Sequence, residues 1–393
     1  MKRLLVILVA LMPWLGATAA EQGDARQGVT FELRNEADSM LYSALNELVP
    51  AEKYIWNWRD AIVLKGAIHA SRIDSRFEQP VTEWIARAID VMEHRIHGVH
   101  PNGVASGAGL AFMMSREPDN ERYAQLAQKV YSQYRATVRA ENGACSHRPK
   151  LVELWDDTVY MLGLFLLEMY ETTGDDRYLN DYVAEVLAHA EYLADAKSGF
   201  WYHGWSASRK PTDDACCQHA WNDNADQRNH EFWGRGNGWI AMSLADLLAV
   251  LPADHESYKE VKTLFTKMTK SILRTQDKAT GHWRQLPIHV GDGDKGNFIE
   301  SSATAMFGYA LARGVRCGVL PAKCEKAARR AYDGMLRLSV RPTERLMLTL
   351  DNVCAGTCIG DKEYYYKRQV TRDESFATGS WLLLAYELQA LDK

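Results

Sequence analysis

Leu193-Ala194-Asp195-Ala196-Lys197-Ser198-Gly199-Phe200-Trp201-Tyr202 has a near twin further along the chain, Leu273-Arg274-Thr275-Gln276-Asp277-Lys278-Ala279-Thr280-Gly281-His282-Trp283. Each ends a segment with apolar residues at helical spacing, then offers Asp, Gly and Trp in the same order. A recurring unit of helix, Asp/Gly turn and Trp implies stacked helical hairpins. Working outward, residues 57–73, 81–97, 121–138, 155–173, 177–195, 239–251, 256–276, 300–316, 321–339 and 375–391 carry the helical period. Strand signals are few. Asp119-Asn120-Glu121-Arg122-Tyr123, Gly174-Asp175-Asp176-Arg177-Tyr178 and Asp254-His255-Glu256-Ser257-Tyr258 put acidic residues at helix starts, where free backbone donors and the helix dipole favour them. No Pro- or Ser-rich linker divides the chain. The reading is all-α: one domain over 21–393 with its helices closed into an α/α toroid. An open solenoid is the alternative, disfavoured because neither end carries a polar capping repeat.

The first residues read as an export signal over 1–20. Lys2 and Arg3 precede an apolar run from Leu4 to Leu15, and Ala17-Thr18-Ala19 fits a cleavage site. That run is too short to span a bilayer, so the expectation is a periplasmic or secreted protein with no membrane attachment after cleavage. The 46 Lys and Arg against 51 Asp and Glu give a formal charge of −5 with no basic block, which argues against nucleic acid as a partner. The seven Cys read as disulfide candidates in an oxidising compartment. The nearest pairs are Cys317 with Cys324 and Cys354 with Cys358, and Cys145 has Cys216 or Cys217. A metal site from Cys216, Cys217, His219 and His203 is disfavoured, because adjacent Cys are awkward ligands and no C-x2-C is present. No metal or organic cofactor is implied. Oligomeric state is not legible.

Three phrases bear on chemistry. In Trp233-Gly234-Arg235-Gly236-Asn237-Gly238-Trp239, glycine permits close backbone approach, Arg235 offers a fork that matches a carboxylate, and the indoles offer broad faces. The set suits a flat anionic ligand such as a uronic acid sugar; the other reading is a glycine-rich turn with two core Trp. Glu153-Leu154-Trp155-Asp156-Asp157-Thr158-Val159-Tyr160-Met161 puts two carboxylates at the start of an apolar helix. Both cannot be the N-cap; either one caps and one is solvated, or one is a functional acid whose pKa is raised by burial against aromatics. In Trp201-Tyr202-His203-Gly204-Trp205, His203 is structural unless it shares a cleft with the acid. The repeat places this phrase on a loop at one rim of the ring, with Trp283 at a similar position, so the rim is expected to hold an aromatic-lined cleft.

These phrases are followed by Glu300-Ser301-Ser302-Ala303-Thr304-Ala305-Met306-Phe307 and by Cys354-Ala355-Gly356-Thr357-Cys358-Ile359-Gly360, which runs into Glu363-Tyr364-Tyr365. Taken in order, they resemble the unsaturated glucuronyl and rhamnogalacturonyl hydrolases of glycoside hydrolase families 88 and 105, well over 140–390 and loosely before that. The resemblance implies a six-hairpin (α/α)6 barrel. It implies as substrate an oligosaccharide left by a polysaccharide lyase, with a 4,5-unsaturated uronic acid at its non-reducing end. In the implied reaction an Asp protonates C4 and assists water addition at C5, and the hemiketal collapses. Carried over, the acid/base is Asp157, and the substrate-binding residues are His203, Trp233, Arg235, Asn237 and Trp239. Arg235 would hold the uronate carboxylate or orient water, and Trp233 or Trp239 would stack on the sugar. One departure stands out. The family's second Asp, on an earlier loop just ahead of a Gly, aligns with Asn102 in Val99-His100-Pro101-Asn102-Gly103, which keeps hydrogen bonding but loses the charge. His100 is a neighbour able to contribute. The insertion between His203 and Trp233 also looks long. Two other readings keep the toroid: a polysaccharide lyase or sugar epimerase, for which Tyr364, Tyr365 or Tyr366 would supply a base, and a non-catalytic uronate-binding protein. The parent polysaccharide is not legible, because galacturonyl and glucuronyl ends differ at C4 and that difference vanishes in the unsaturated sugar.

Overall fold

In the computed structural model, which describes residues 28–208 and 217–393, the two quoted segments fold as one turn used twice. Asp195 and Asp277 each accept N–H donors from within the turn on a side-chain oxygen, Ser198 on the first and Ala279 and Thr280 on the second. Gly199 and Gly281 take φ of +77° and +84°, the left-handed region where glycine has no steric cost. A Cβ at either would strike backbone of the next helix hairpin, at Lys267 and Arg330. The Trp201 N–H then donates to Asn237 Oδ1 at 2.7 Å, and the Trp283 N–H to Thr304 Oγ1 at 3.0 Å. The repeat therefore extends from the turn into the following helix.

The helices are α1 Glu36–Tyr42, α2 Trp58–Ile73, α3 Glu78–Met92, α4 Pro101–Ala105, α5 Gly107–Arg116, α6 Glu121–Arg135, α7 Asp156–Thr173, α8 Asp176–Leu193, α9 Gly234–Val250, α10 Tyr258–Thr275, α11 Ser301–Arg316, α12 Lys323–Leu338, α13 Lys362–Tyr366 and α14 Ser375–Leu391. An inner ring of α2, α5, α7, α9, α11 and α14 packs each helix on the next, and α14 closes back on α2. The remaining long helices and α1 form the outer layer, so the closed six-hairpin ring is what the chain builds. Inner helices are buried almost all round, whereas α10 and α12 bury one stripe, as outer-layer amphipathic helices do. Where α2 meets α14 the approach is so close that a Cβ on Gly379 would stand 2.3 Å from Ile62 backbone. Ser375 with Asp60, and Glu387 with His69, show that α2 and α14 run parallel.

Short antiparallel pairs decorate the loops: β1 Glu153–Trp155 with β2 Gly204–Ser206, β3 Val340–Arg341 with β4 Thr349–Leu350, and β5 Val353–Cys354 with β6 Val370–Thr371. Every periodic segment is a helix. The helices α1, α4, α5 and α13 lie outside the periodic segments, and for α5 the cause is the one that makes α9 begin at Gly234 rather than 239. Both α5 and the start of α9 are glycine-rich, which reads as a break, yet an inner helix packed on all sides needs small residues. The expected cysteine pairs are absent: Cys145, Cys317, Cys324 and Cys354 stand outside any disulfide. Cys216 and the signal segment 1–20 lie outside the described residues. Among those described, no helix is long and apolar enough to cross a membrane.

Candidate active site

The β1–β2 ladder sets the geometry. Its register pairs Trp155 with Gly204, and the Asp156 N–H donates to the His203 carbonyl at 3.1 Å. The first turn of α7 is thus fastened to the loop that carries His203. Neither Asp is the N-cap, which is Trp155 without a side-chain cap. Asp156 turns inward and is wholly buried, while the Asp157 side chain keeps 18% of its surface open. His203 Nε2 lies 3.1 Å from Asp157 Oδ2 and 3.9 Å from Asp156 Oδ1. On its other nitrogen, Nδ1 is 2.7 Å from the Tyr365 hydroxyl. That hydroxyl oxygen already accepts from Asn229 Nδ2 and the Gly360 N–H, so its own proton goes to Nδ1. The tautomer follows: Nε2 carries the hydrogen and donates to Asp157. Trp233 stacks on the imidazole at 4.4 Å and 26°, and Trp155 meets it edge-on at 5.7 Å.

Of the two readings of the Trp233–Trp239 phrase, the packed one describes its surroundings. The phrase is the N-cap and the first six residues of α9, and all seven residues are buried. Arg235 gives its guanidinium hydrogens to the carbonyls of Cys354 and Ala355 at 2.8 and 2.9 Å, beside Glu300 at 3.8 Å, sandwiched by Trp233 and Phe376. It holds a rim loop rather than offering a fork to a carboxylate. Asn237 bonds both the N–H and carbonyl of Trp201, the role its counterpart Thr304 plays toward the Trp283 N–H. Trp239 packs on Tyr160 at 5.2 Å and on Trp58. With Trp233 1% and Trp239 0% exposed, neither presents a face for a sugar; Trp233 backs His203 instead. The glycines serve helix packing: a Cβ at 234 would meet Arg284 and Gln285 backbone, at 236 the Asp156 carboxyl, and at 238 Met306.

Charge is divided unevenly. Burial, reinforced by the neighbouring Asp157, pushes Asp156 well above the usual carboxylate range. Burial also acts to raise Asp157, but the His203 hydrogen bond and charge outweigh it and hold Asp157 below its ordinary value. The raised acid foreseen among the aromatics is therefore Asp156. Burial lowers His203 and lowers His147 well below the ordinary imidazole value. His147 was not foreseen. It stacks on Trp155 at 4.3 Å, bonds Thr158 Oγ1 through Nδ1, and feels the charge of Asp157. His100 packs edge-on against His147 at 5.0 Å, and burial followed by the charge of Arg148 lowers it to about 4. Its Nδ1 caps α4 by accepting the Asn102 N–H. Asn102 itself is half-buried on α4 and makes no hydrogen bond to Asp157 or His203. Tyr365 was legible only as part of a tyrosine run, and nothing in the spacing marked it as the partner of His203. One atom each of Asp156, Asp157 and His203 lies within 4.8 Å of the others. Asp156 is sealed from solvent and His203 is engaged on both nitrogens, so the set is a carboxyl–carboxylate–imidazole chain rather than an open cation site.

A family model, Glycosyl Hydrolase Family 88, matches residues 35–391. The unsaturated rhamnogalacturonyl hydrolase YesR of Bacillus subtilis is 24% identical over 271 residues, 66% of this chain and 70% of that protein. A family 105 glycoside hydrolase structure from C. acetobutylicum superposes with a TM-score of 0.74 at 22% identity, covering 90% of this chain and 98% of the other. The unsaturated glucuronyl hydrolase of Bacillus sp. GL1 superposes at 0.64 and 14% identity, with 90% and 95% covered.

Proposed function

The chain belongs to glycosyl hydrolase family 88, and from that premise we propose that it removes a 4,5-unsaturated uronic acid from the non-reducing end of lyase-generated oligosaccharides. It is a glycoside hydrolase. The observation that carries the finer reading is the Asp157–His203 pair: one partly open carboxyl, 3.1 Å from an imidazole of fixed tautomer, at the rim where the inner helices begin. Asp157 gives a proton to C4, and water adds at C5 while its proton returns to the same carboxyl. The hemiketal then opens and releases the next sugar. Helix N-termini at this rim favour an anionic ligand, which supports a uronate. Within the Asp156–Asp157–His203 group, Asp157 is the side chain that remains partly open. The reading includes export after loss of 1–20, supported by the sequence alone.

The test is direct. The protein lacking residues 1–20 is incubated with unsaturated disaccharides from pectin, rhamnogalacturonan and glycosaminoglycan lyases, and the ultraviolet absorbance of the conjugated acid is followed. Loss of absorbance is expected with at least one, and Asp157→Asn is expected to lower the rate by roughly two to four orders of magnitude. No loss with any of the three sinks the reading. A rise in absorbance on intact polysaccharide would point to a lyase instead.

A further inference from the structure

We propose that Asp156 is a positioning residue that holds the single proton of the Asp156–Asp157 pair and hands it to Asp157 when substrate binds. This rests on the function proposed above and answers a difficulty in it: the group assigned as acid sits beside a hydrogen-bond donor that favours its ionised form.

The geometry carries the argument. Asp156 is 0% exposed, so it touches neither solvent nor substrate. Among the described residues, no cation, hydroxyl or ring nitrogen hydrogen-bonds to its oxygens; its interactions of that kind are with Asp157, the backbone N–H and the neighbouring carboxyl with which it shares the proton. The groups that face it are Asp157 from its own helix, His203 from the rim loop, Arg235 from α9 and Tyr365 from α13. None neutralises it. His203 donates to Asp157, Arg235 donates to the Cys354 and Ala355 carbonyls, and Tyr365 donates to His203. A sealed carboxylate without a paired cation is far more costly than its neutral acid, and two adjacent carboxyls do not both ionise readily. The resting proton therefore lies on Asp156. Gly236 leaves room for that carboxyl and little more, since a Cβ there would stand 2.2 Å from Oδ2.

Bringing a uronate to the rim and excluding water disfavours the Asp157 anion. The O–H bond of Asp156 then breaks and one forms on Asp157, leaving the Asp156 carboxylate in the field of Arg235. Asp157 gives this proton to C4. The hydroxyl of water adds to C5, its proton passes to Asp157 and returns to Asp156, and the cycle closes with one water consumed.

Asp156→Asn keeps the shape but cannot hold the proton. With an unsaturated uronyl disaccharide, kcat at neutral pH is expected to fall on the order of 10- to 100-fold, with KM changed by less than about threefold. The basic limb of the kcat–pH profile is expected to move to lower pH, because Asp157 alone beside His203 loses its proton earlier. Difference infrared spectra of wild type against the variant at neutral pH are expected to show a carboxylic-acid carbonyl band that the variant lacks. Asp156→Ala gives the same comparison if the amide does not fold. Unchanged kcat and pH profile in the variant, or no such band, overturns the proposal. A wild type that does not turn over the disaccharide would defeat the functional reading instead, while the infrared band would still decide where the proton rests.

Discussion

Gly236 and Tyr365 each bear on Asp157 through a neighbour, Asp156 and His203 respectively. Gly236 is the floor beneath Asp156: a methyl there would stand 2.2 Å from its Oδ2, and both groups belong to first turns of packed inner helices. Neither can retreat far, so Gly236→Ala is expected to displace Asp156 and with it Asp157. The expected result is a loss of about 1–3 kcal/mol of stability, read as a lower Tm, and a loss of kcat larger than the stability change explains. Tyr365 decides which nitrogen of His203 is protonated. Tyr365→Phe removes the donor to Nδ1 and lets the other tautomer form, in which Nε2 no longer donates to Asp157. We expect kcat to fall on the order of 10- to 100-fold, more than accompanies the roughly 1–3 kcal/mol of stability lost when the Asn229 amide and the Gly360 N–H lose their acceptor, measured by steady-state kinetics and thermal melts.

The repeated turn, carried into the helix that follows, separates packing from recognition. Asn237 and Thr304 occupy the fourth position of α9 and α11 and receive the same N–H, from Trp201 and Trp283. Asn237→Ala would leave buried backbone groups of Trp201 unpaired, which costs about 1–3 kcal/mol. Asn237→Thr is expected to recover most of that, and neither change should raise KM; a KM increase without loss of Tm would restore Asn237 to the ligand. The turns were legible in the sequence because each position demands one residue type, Gly for a positive φ and Asp to accept the turn's donors. Outer helices were legible because they bury one stripe. The starts of α9 and α5 were not, since glycine signals a break locally and close helix packing globally. Asp157 and His203 were legible as motif residues, and the ladder brings them together. The Trp233–Trp239 phrase admitted two readings in the sequence for a physical reason: a phrase can be specific because packing around a site is exacting, and here its side chains are buried behind His203.

A ring of parallel inner helices has two unlike ends. At the rim holding Asp157 the helices present their N-termini, which favour anions; at the far end their C-termini favour cations. The residues follow this rule. His69 and Arg72 late in α2, with Lys65 at its middle, and Arg313 and Arg316 late in α11 line a cavity of about 260 Å³, with Asp246 and Glu171. Two fully buried acids balance them: Glu168 pairs with Arg72 and Lys65, and Glu387 with His69, Arg313 and Arg316. Burial acts to raise Glu168, but the charges of Arg72 and Lys65 prevail and hold it below its ordinary value of 4.5. A carboxyl depressed in the folded state contributes stability that is complete above its unfolded value and fades as pH falls through the folded one. The ring is therefore expected to lose stability as pH drops below about 4.5. Glu168→Gln removes the acid and leaves Lys65 and Arg72 without their shared partner. It is expected to cost about 3 kcal/mol at neutral pH and to flatten the acid side of the Tm–pH curve. Thermal melts of both proteins across the acid range check this, and parallel curves for variant and wild type would remove Glu168 as the group that closes the far end.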